Sequence, residues 1–137
     1  MKRLLPIIIS MMLITPAHAW EFAERWSVSD TALVIASAGF QYLDYRQTSG
    51  IVDHPDRYRE VNGILDEHPT QRAVDAFFII TVAARPVIAA LLPPDIEIFG
   101  FRMYPRTIFL AVSCGTSAAT VVGNVNTGLG WTGNPNE

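Results

Sequence analysis

Charge drops out of this chain three times. Residues 31–43 carry none, residues 76–92 carry only Arg85, and residues 107–123 carry none, while the stretches between them are dense in Asp, Glu, Arg and Pro. Long uncharged runs of this kind predict helices. The first is expected over 29–48, with Ser29 or Asp30 as its N-cap. The second is expected over 70–92, with Thr70 as cap and Pro93 and Pro94 as its stop. The third is expected over 105–124, opened by Pro105. Gly128, Gly130 and Gly133 make the remainder irregular. Each segment is near or just under the roughly 17–25 residues of a membrane-crossing helix. The expected fold class is therefore all-α, a three-helix transmembrane bundle. A soluble periplasmic helical domain, with the same segments as its core, is the competing architecture.

Polar positions inside the helices refine this picture. Asp30, Ser37, Gln41, Asp44 and Thr48 follow one another by steps of three, four or seven, so they share one face of the first helix. In a bilayer that face must look into the bundle or into water. In the third helix, Ala111, Gly115, Ala119 and Gly123 recur every four residues, a small-xxx-small stripe that lets helix backbones approach closely. Self-association is one use of it, and ordinary packing against the other two helices is the preferred one. Beside it run Ser113, Ser117, Thr120 and Asn124, all able to hydrogen-bond across helices. The second helix carries Asp75 and Arg85, and an ionised group at membrane depth needs a partner. Intramembrane ion pairing among Asp30, Asp75 and Arg85 is expected, with Arg85 meeting Asp30 or else Ser113.

The N-terminus supplies an address. Lys2 and Arg3 precede an apolar run from Leu4 to Thr15, and Ala17-His18-Ala19 forms a small-x-small cleavage site before Trp20. Residues 1–19 therefore read as a secretory signal peptide and 20–137 as one helical membrane domain. If the segment is retained instead, it becomes a fourth helix. Cleavage leaves the mature N-terminus in the periplasm and places the protein in a bacterial inner membrane, or in the periplasm if it is soluble. The 49–70 loop then faces the cytoplasm with Arg46, Arg57, Arg59 and Arg72 in or beside it, against Arg102 and Arg106 on the outer side. This agrees mildly with the positive-inside rule, and Trp20, Trp26, Phe99, Phe101 and Tyr104 suit the outer interface.

Composition narrows the function. The chain holds 10 basic and 13 acidic residues, and two of the basic ones lie in the signal segment. Such an acid balance disfavours nucleic acid as a partner. The lone Cys114 cannot form an internal disulfide and reads as a small packing residue. The sequence contains no GxSxG, HExxH, P-loop or CxxC pattern, and no His lies in the three helices to activate Ser113 or Cys114. No catalytic residue and no cofactor is assigned.

One cluster remains. Asp44 and Thr48 lie one turn apart near the end of the first helix. Glu60 and Asn62 follow in the loop, and Asn124 ends the third helix at the same level. The simplest use is a hydrogen-bonded lock on helix ends whose backbone groups lack partners. A ligand or divalent-metal site built from Asp44, His54, Glu60 and His68 is the sharper alternative, although no closely spaced ligand pair is present. The order Asp44-x-x-x-Thr48, then Glu60-x-Asn62-x-x-Leu65, resembles a group of uncharacterised small bacterial and phage multi-helix membrane proteins. Gly63 stands where that group commonly has Pro. The resemblance covers residues 30–92 and implies a small helical membrane protein, without an activity. The function expected is that of an integral membrane protein of structural or interaction type. Its partners are the lipid bilayer and either a second copy or another membrane protein. A metal- or small-ligand-binding membrane module is the alternative.

Overall fold

The computed structural model describes residues 26–134, so residues 1–19, expected as a signal peptide, lie outside the described residues. The architecture is mainly helical: α1 (Val28–Asp53), α2 (Gln71–Leu91) and α3 (Pro105–Asn126), with a small hairpin of β1 (Ile96–Ile98) and β2 (Phe101–Met103) between α2 and α3.

Helix α1 starts earlier and ends later than its uncharged core suggests. Its cap is Ser27, not Ser29 or Asp30. The Ser27 Oγ accepts from the Asp30 N–H at 3.0 Å, and the Asp30 carboxylate accepts from the Ser27 N–H at 3.1 Å. This reciprocal capping box needs an acid three residues after the cap, which Asp30 supplies for Ser27. At the other end the helix continues to Asp53, where the His54 ring bonds the Gly50 carbonyl at 3.0 Å and Pro55 disfavours further helix. Thr70 caps α2 through the Ala73 N–H, and Pro93 follows its end. Pro105 sits in the first turn of α3, where its missing N–H costs nothing.

The connection between α2 and α3 closes into an antiparallel hairpin with Ile98 opposite Phe101, which the sequence pattern does not predict. Its two turn residues, Phe99 and Gly100, both have positive φ, 52° and 80°. That is the signature of a type I′ turn, a position that suits Asn or Gly far better than Phe.

Cross-helix bonds fix the arrangement. Asp30 meets Thr107 and Asp44 meets Asn124, so α1 and α3 run parallel; Tyr45 meets Asp75 while Ser37 meets Arg85, so α2 runs antiparallel to α1. Helix α1 packs most closely on α3. The C-terminal segment folds back over the end of α1. A Cβ on Gly133 would lie 2.3 Å from the Arg46 carbonyl oxygen, and one on Gly50 would lie 2.3 Å from that of Gly133. Both positions need glycine for backbone-to-backbone contact, and Gly133 needs it also for its φ of +81°.

Burial is inverted relative to a water-soluble bundle. Asp30, Ser37, Gln41, Gln47, Thr48, Arg106 and Ser117 are buried, while Ile79, Ile80, Val87, Ile88, Val112 and Val122 are exposed. Helices α2 and α3 are long and apolar enough to cross a membrane, and only 17% of each apolar stretch is buried inside the protein. A core helix of a soluble domain would be mostly covered. Helix α1, which carries the acids, is not apolar enough by the same measure.

Candidate functional site

Three polar rungs cross the interior. They rise from residues seven apart on α1, which is about 10.5 Å per step along a helix. At the first rung, the Thr107 hydroxyl donates to the Asp30 carboxylate at 2.7 Å. At the second, one guanidinium nitrogen of Arg85 donates to the Ser37 hydroxyl at 2.6 Å and to the Ser117 hydroxyl at 2.8 Å. At the third, the Asn124 amide donates to Asp44 at 3.2 Å and to the Gln47 side-chain oxygen at 3.0 Å. Gln47 in turn donates to the carbonyls of Val121 and Gly130 at 3.3 and 2.9 Å. Among the described residues, every buried side-chain polar atom has a partner, as a low-dielectric interior requires.

The expected ion pairing of Asp30, Asp75 and Arg85 is not formed. Ion pairs do form at the surface, between Arg59 and Glu67 and between Arg102 and Asp95. Asp30 already accepts from Ser27 and Thr107. Arg85 lies deeper and reaches hydroxyls instead, at Ser37 two turns beyond Asp30 and at Ser117 one turn beyond Ser113. Asp75 accepts from the Tyr45 hydroxyl at 3.1 Å and from Gln71 at 2.8 Å, and Gln71 also reaches Ser49 at 3.2 Å. This network ties the start of α2 to α1.

Between the second and third rungs lies a mixed polar cavity of about 320 Å³. Asp44, Thr48, Glu60, Asn62 and Asn124, singled out from sequence, all line it, together with Gln41, Arg85 and Ser117. The loop after α1 contributes Glu60, Val61 and Asn62 to its lining. The Glu60 carboxylate accepts from the N–H groups of Val61 and Asn62 at 3.0 and 2.8 Å, and the Asn62 side chain accepts from the Ile64 N–H at 3.0 Å. The Tyr58 hydroxyl donates to the Gly128 carbonyl at 2.9 Å, tying the loop to the C-terminal segment. A second, apolar cleft of about 550 Å³ opens outward between α1 and α2 beside Ala38, Tyr42, Ile79 and Val82. Gln41 and Phe78 line both spaces.

The four candidate metal ligands do not converge. His54 stands with Arg46 and Asp53 at a separate shallow pocket, its ring bonded to Gly50, and His68 is exposed. Among the described residues no three His, Cys, Asp or Glu side chains group as a metal site. The small-residue stripe also turns the other way from the packing role expected of it. Ala111, Gly115, Ala119 and Gly123 are exposed, and a Cβ on either glycine would meet nothing within 4 Å. The buried positions of α3 include Leu110, Ser117 and Val121, which occupy another face.

Two interior residues escape the sequence patterns. Gln47 lies one position off the polar stripe of α1. Arg106, counted as an outer-loop charge, is fully buried. Its guanidinium donates to the carbonyls of Ala89 and Leu92 at 3.1 Å each and lies 5.2 Å from the Trp26 ring centre. It adds a second donor to the Ala89 carbonyl, which already accepts from the Leu92 N–H, serves the Leu92 carbonyl at the end of α2 and stacks on an aromatic face. An Arg immediately after a helix-opening Pro was the only signal for it.

Compared with family models, curated proteins and solved structures, the chain matches none of them.

Proposed function

We infer that this is a small integral membrane protein of the bacterial inner membrane, with a cleaved signal peptide, three crossing helices and a periplasmic mature N-terminus. Its role is structural or interactive, and no catalytic residue is assigned. The inverted burial carries this reading: polar rungs inside, and Ile79, Ile80, Val87, Ile88 and Val112 outside. An apolar patch of that extent in water would drive aggregation, whereas lipid accepts it and leaves hydrogen bonds and close packing to hold the helices. The lengths agree. Helices α2 and α3, of 21 and 22 residues, are about 32 and 33 Å long, against a hydrocarbon core of about 30 Å. The bilayer is the first partner, and the outward small-residue stripe suits a second copy or another membrane protein. Carbonate washing of membranes tests the reading: the protein should stay in the pellet, and release into the supernatant would end it. N-terminal sequencing of the purified protein should begin at Trp20.

A second reading, a small-ligand-binding membrane module, is favoured by one observation: the Asp44, Glu60 and Asn124 cluster surrounds a cavity rather than closing on itself. A metal ligand is disfavoured there, because Arg85 shares the space and the histidines are elsewhere.

A further inference from the structure

The walls of the polar cavity are not uniform. The guanidinium of Arg85, steadied by Ser37 and Ser117, stands at one end. The carboxylates of Asp44 and Glu60 stand at the other, one held by the Asn124 amide and the other by two loop N–H groups. Ser117 and Asn124, which mark the two levels on α3, are seven residues apart, or about 10.5 Å along the helix. Arg85 and Asp44 attract each other across the cavity, yet the guanidinium and the carboxylates form no direct ion pair, so opposite charges line the same space without closing it. At about 320 Å³ it lies at the lower end of the range for small-molecule sites.

We propose that this cavity binds a small zwitterion, an amino carboxylate whose ammonium faces Asp44 and Glu60 and whose carboxylate faces Arg85. This rests on the small-ligand reading of the same site and gives it a chemical class. A cation alone would leave the guanidinium unanswered and would be repelled by it. An anion alone would meet two carboxylates. A dipolar ligand answers both ends, and charge-assisted contacts of about 2.8 Å at each end leave about 5 Å between its charges. An ω-amino acid of four carbons has that reach, whereas glycine is too short to touch both ends. The threonines and amides along the walls can take the place of the water such a ligand sheds on entry.

The test is calorimetric titration of the detergent-purified full chain with 4-aminobutyrate, and separately with butylamine, butyrate and glycine. We expect 4-aminobutyrate to bind at least 10-fold more tightly than any of the other three. Glu60→Gln and Asp44→Asn should each weaken 4-aminobutyrate at least 10-fold. Arg85→Lys, which keeps the charge and the chance of folding, should weaken it less than Arg85→Gln. Size-exclusion profiles confirm that each variant is folded, and Glu60, on the loop, remains informative if a helix variant is not. Equal binding of butylamine and 4-aminobutyrate would overturn the zwitterion while leaving a ligand module. Unchanged affinity in both folded acid variants would remove the site assignment. Binding of none of the four probes to the folded wild type would remove the ligand reading itself. None of these results touches the carbonate-wash test of membrane residence.

Discussion

Gln47→Leu is the sharpest test of how the bundle is held. The Gln47 side chain is fully buried and makes three hydrogen bonds, to Val121, Gly130 and Asn124. Leu is close in volume, so the change removes the bonds with little disturbance of packing. A side-chain hydrogen bond inside a membrane protein averages about 0.6 kcal/mol, and one in a soluble protein reaches about 1.5 kcal/mol. Three of them bracket the loss at about 2 to 4.5 kcal/mol, toward the upper end because the Gly130 carbonyl is left without this donor. Gln47→Glu should be worse at neutral pH: a carboxylate would face two carbonyl oxygens with only the Asn124 amide to donate to it, and a buried charge without adequate partners costs more than a missing bond. Reversible SDS titration in mixed micelles, followed by tryptophan fluorescence, reads both. The expected order of stability is wild type, then Leu, then Glu. A Leu variant within about 0.5 kcal/mol of wild type, or a Glu variant more stable than Leu, would refute the view that these bonds anchor the C-terminal segment.

The same titration checks four further expectations. Gly133→Ala places a Cβ 2.3 Å from the Arg46 oxygen at a φ of +81°, and should cost about 2 kcal/mol or more while exposing the C-terminal segment to protease. Gly115→Leu points into open space and should leave the protomer within about 0.5 kcal/mol of wild type; a large loss would mean that the stripe faces inward after all. Phe99→Asn removes a bulky residue from a left-handed position and should stabilise the hairpin by about 1 kcal/mol, so an unchanged midpoint would argue against strain there. Ser37→Ala and Ser117→Ala should each cost about 1.5 kcal/mol, as for hydrogen bonds to a charged group. Their double variant should lose more than the sum, because Arg85 then keeps neither hydroxyl; simple additivity would show that the two serines act independently.

Much of the scaffold was legible in the residues. Charge-free runs located the helices to within two positions, except that α1 runs five residues past its expected end, and Thr70, Pro93 and Pro105 marked boundaries through local chemistry that needs no tertiary context. The stripe from Asp30 to Thr48 correctly implied an inward polar face, because spacing along a helix fixes which residues share a side: four of the five are buried, and Asp44 is half-buried at the cavity. Spacing does not say which way a face turns when both options are chemically tolerable, and so the small stripe of α3 was expected inside and lies outside. Partner choice was also hidden. Arg85 takes two hydroxyls rather than a carboxylate because Asp30 is occupied by its own capping box and by Thr107, a fact of three-dimensional competition. Arg106 and Gln47 belong to no periodic pattern, since each serves a backbone end that only the folded chain brings near. The hairpin was missed because its strands are three residues long and its turn is Phe99-Gly100 instead of the more telling Asn-Gly.

The Gln47 bond to Gly130 also sets an order of events in time. Its two partners are 83 residues apart, and at about 5 to 20 residues per second a ribosome needs roughly 4 to 17 s to travel between them. Helix α1 is therefore made, with its amide, its acids and its hydroxyls, well before α3 and the C-terminal segment exist to receive them. During that interval its polar face lacks Thr107, Asn124 and Gly130, the partners it bonds in the finished fold. A chain built this way does not finish its helices one at a time; the first of them is completed by the last.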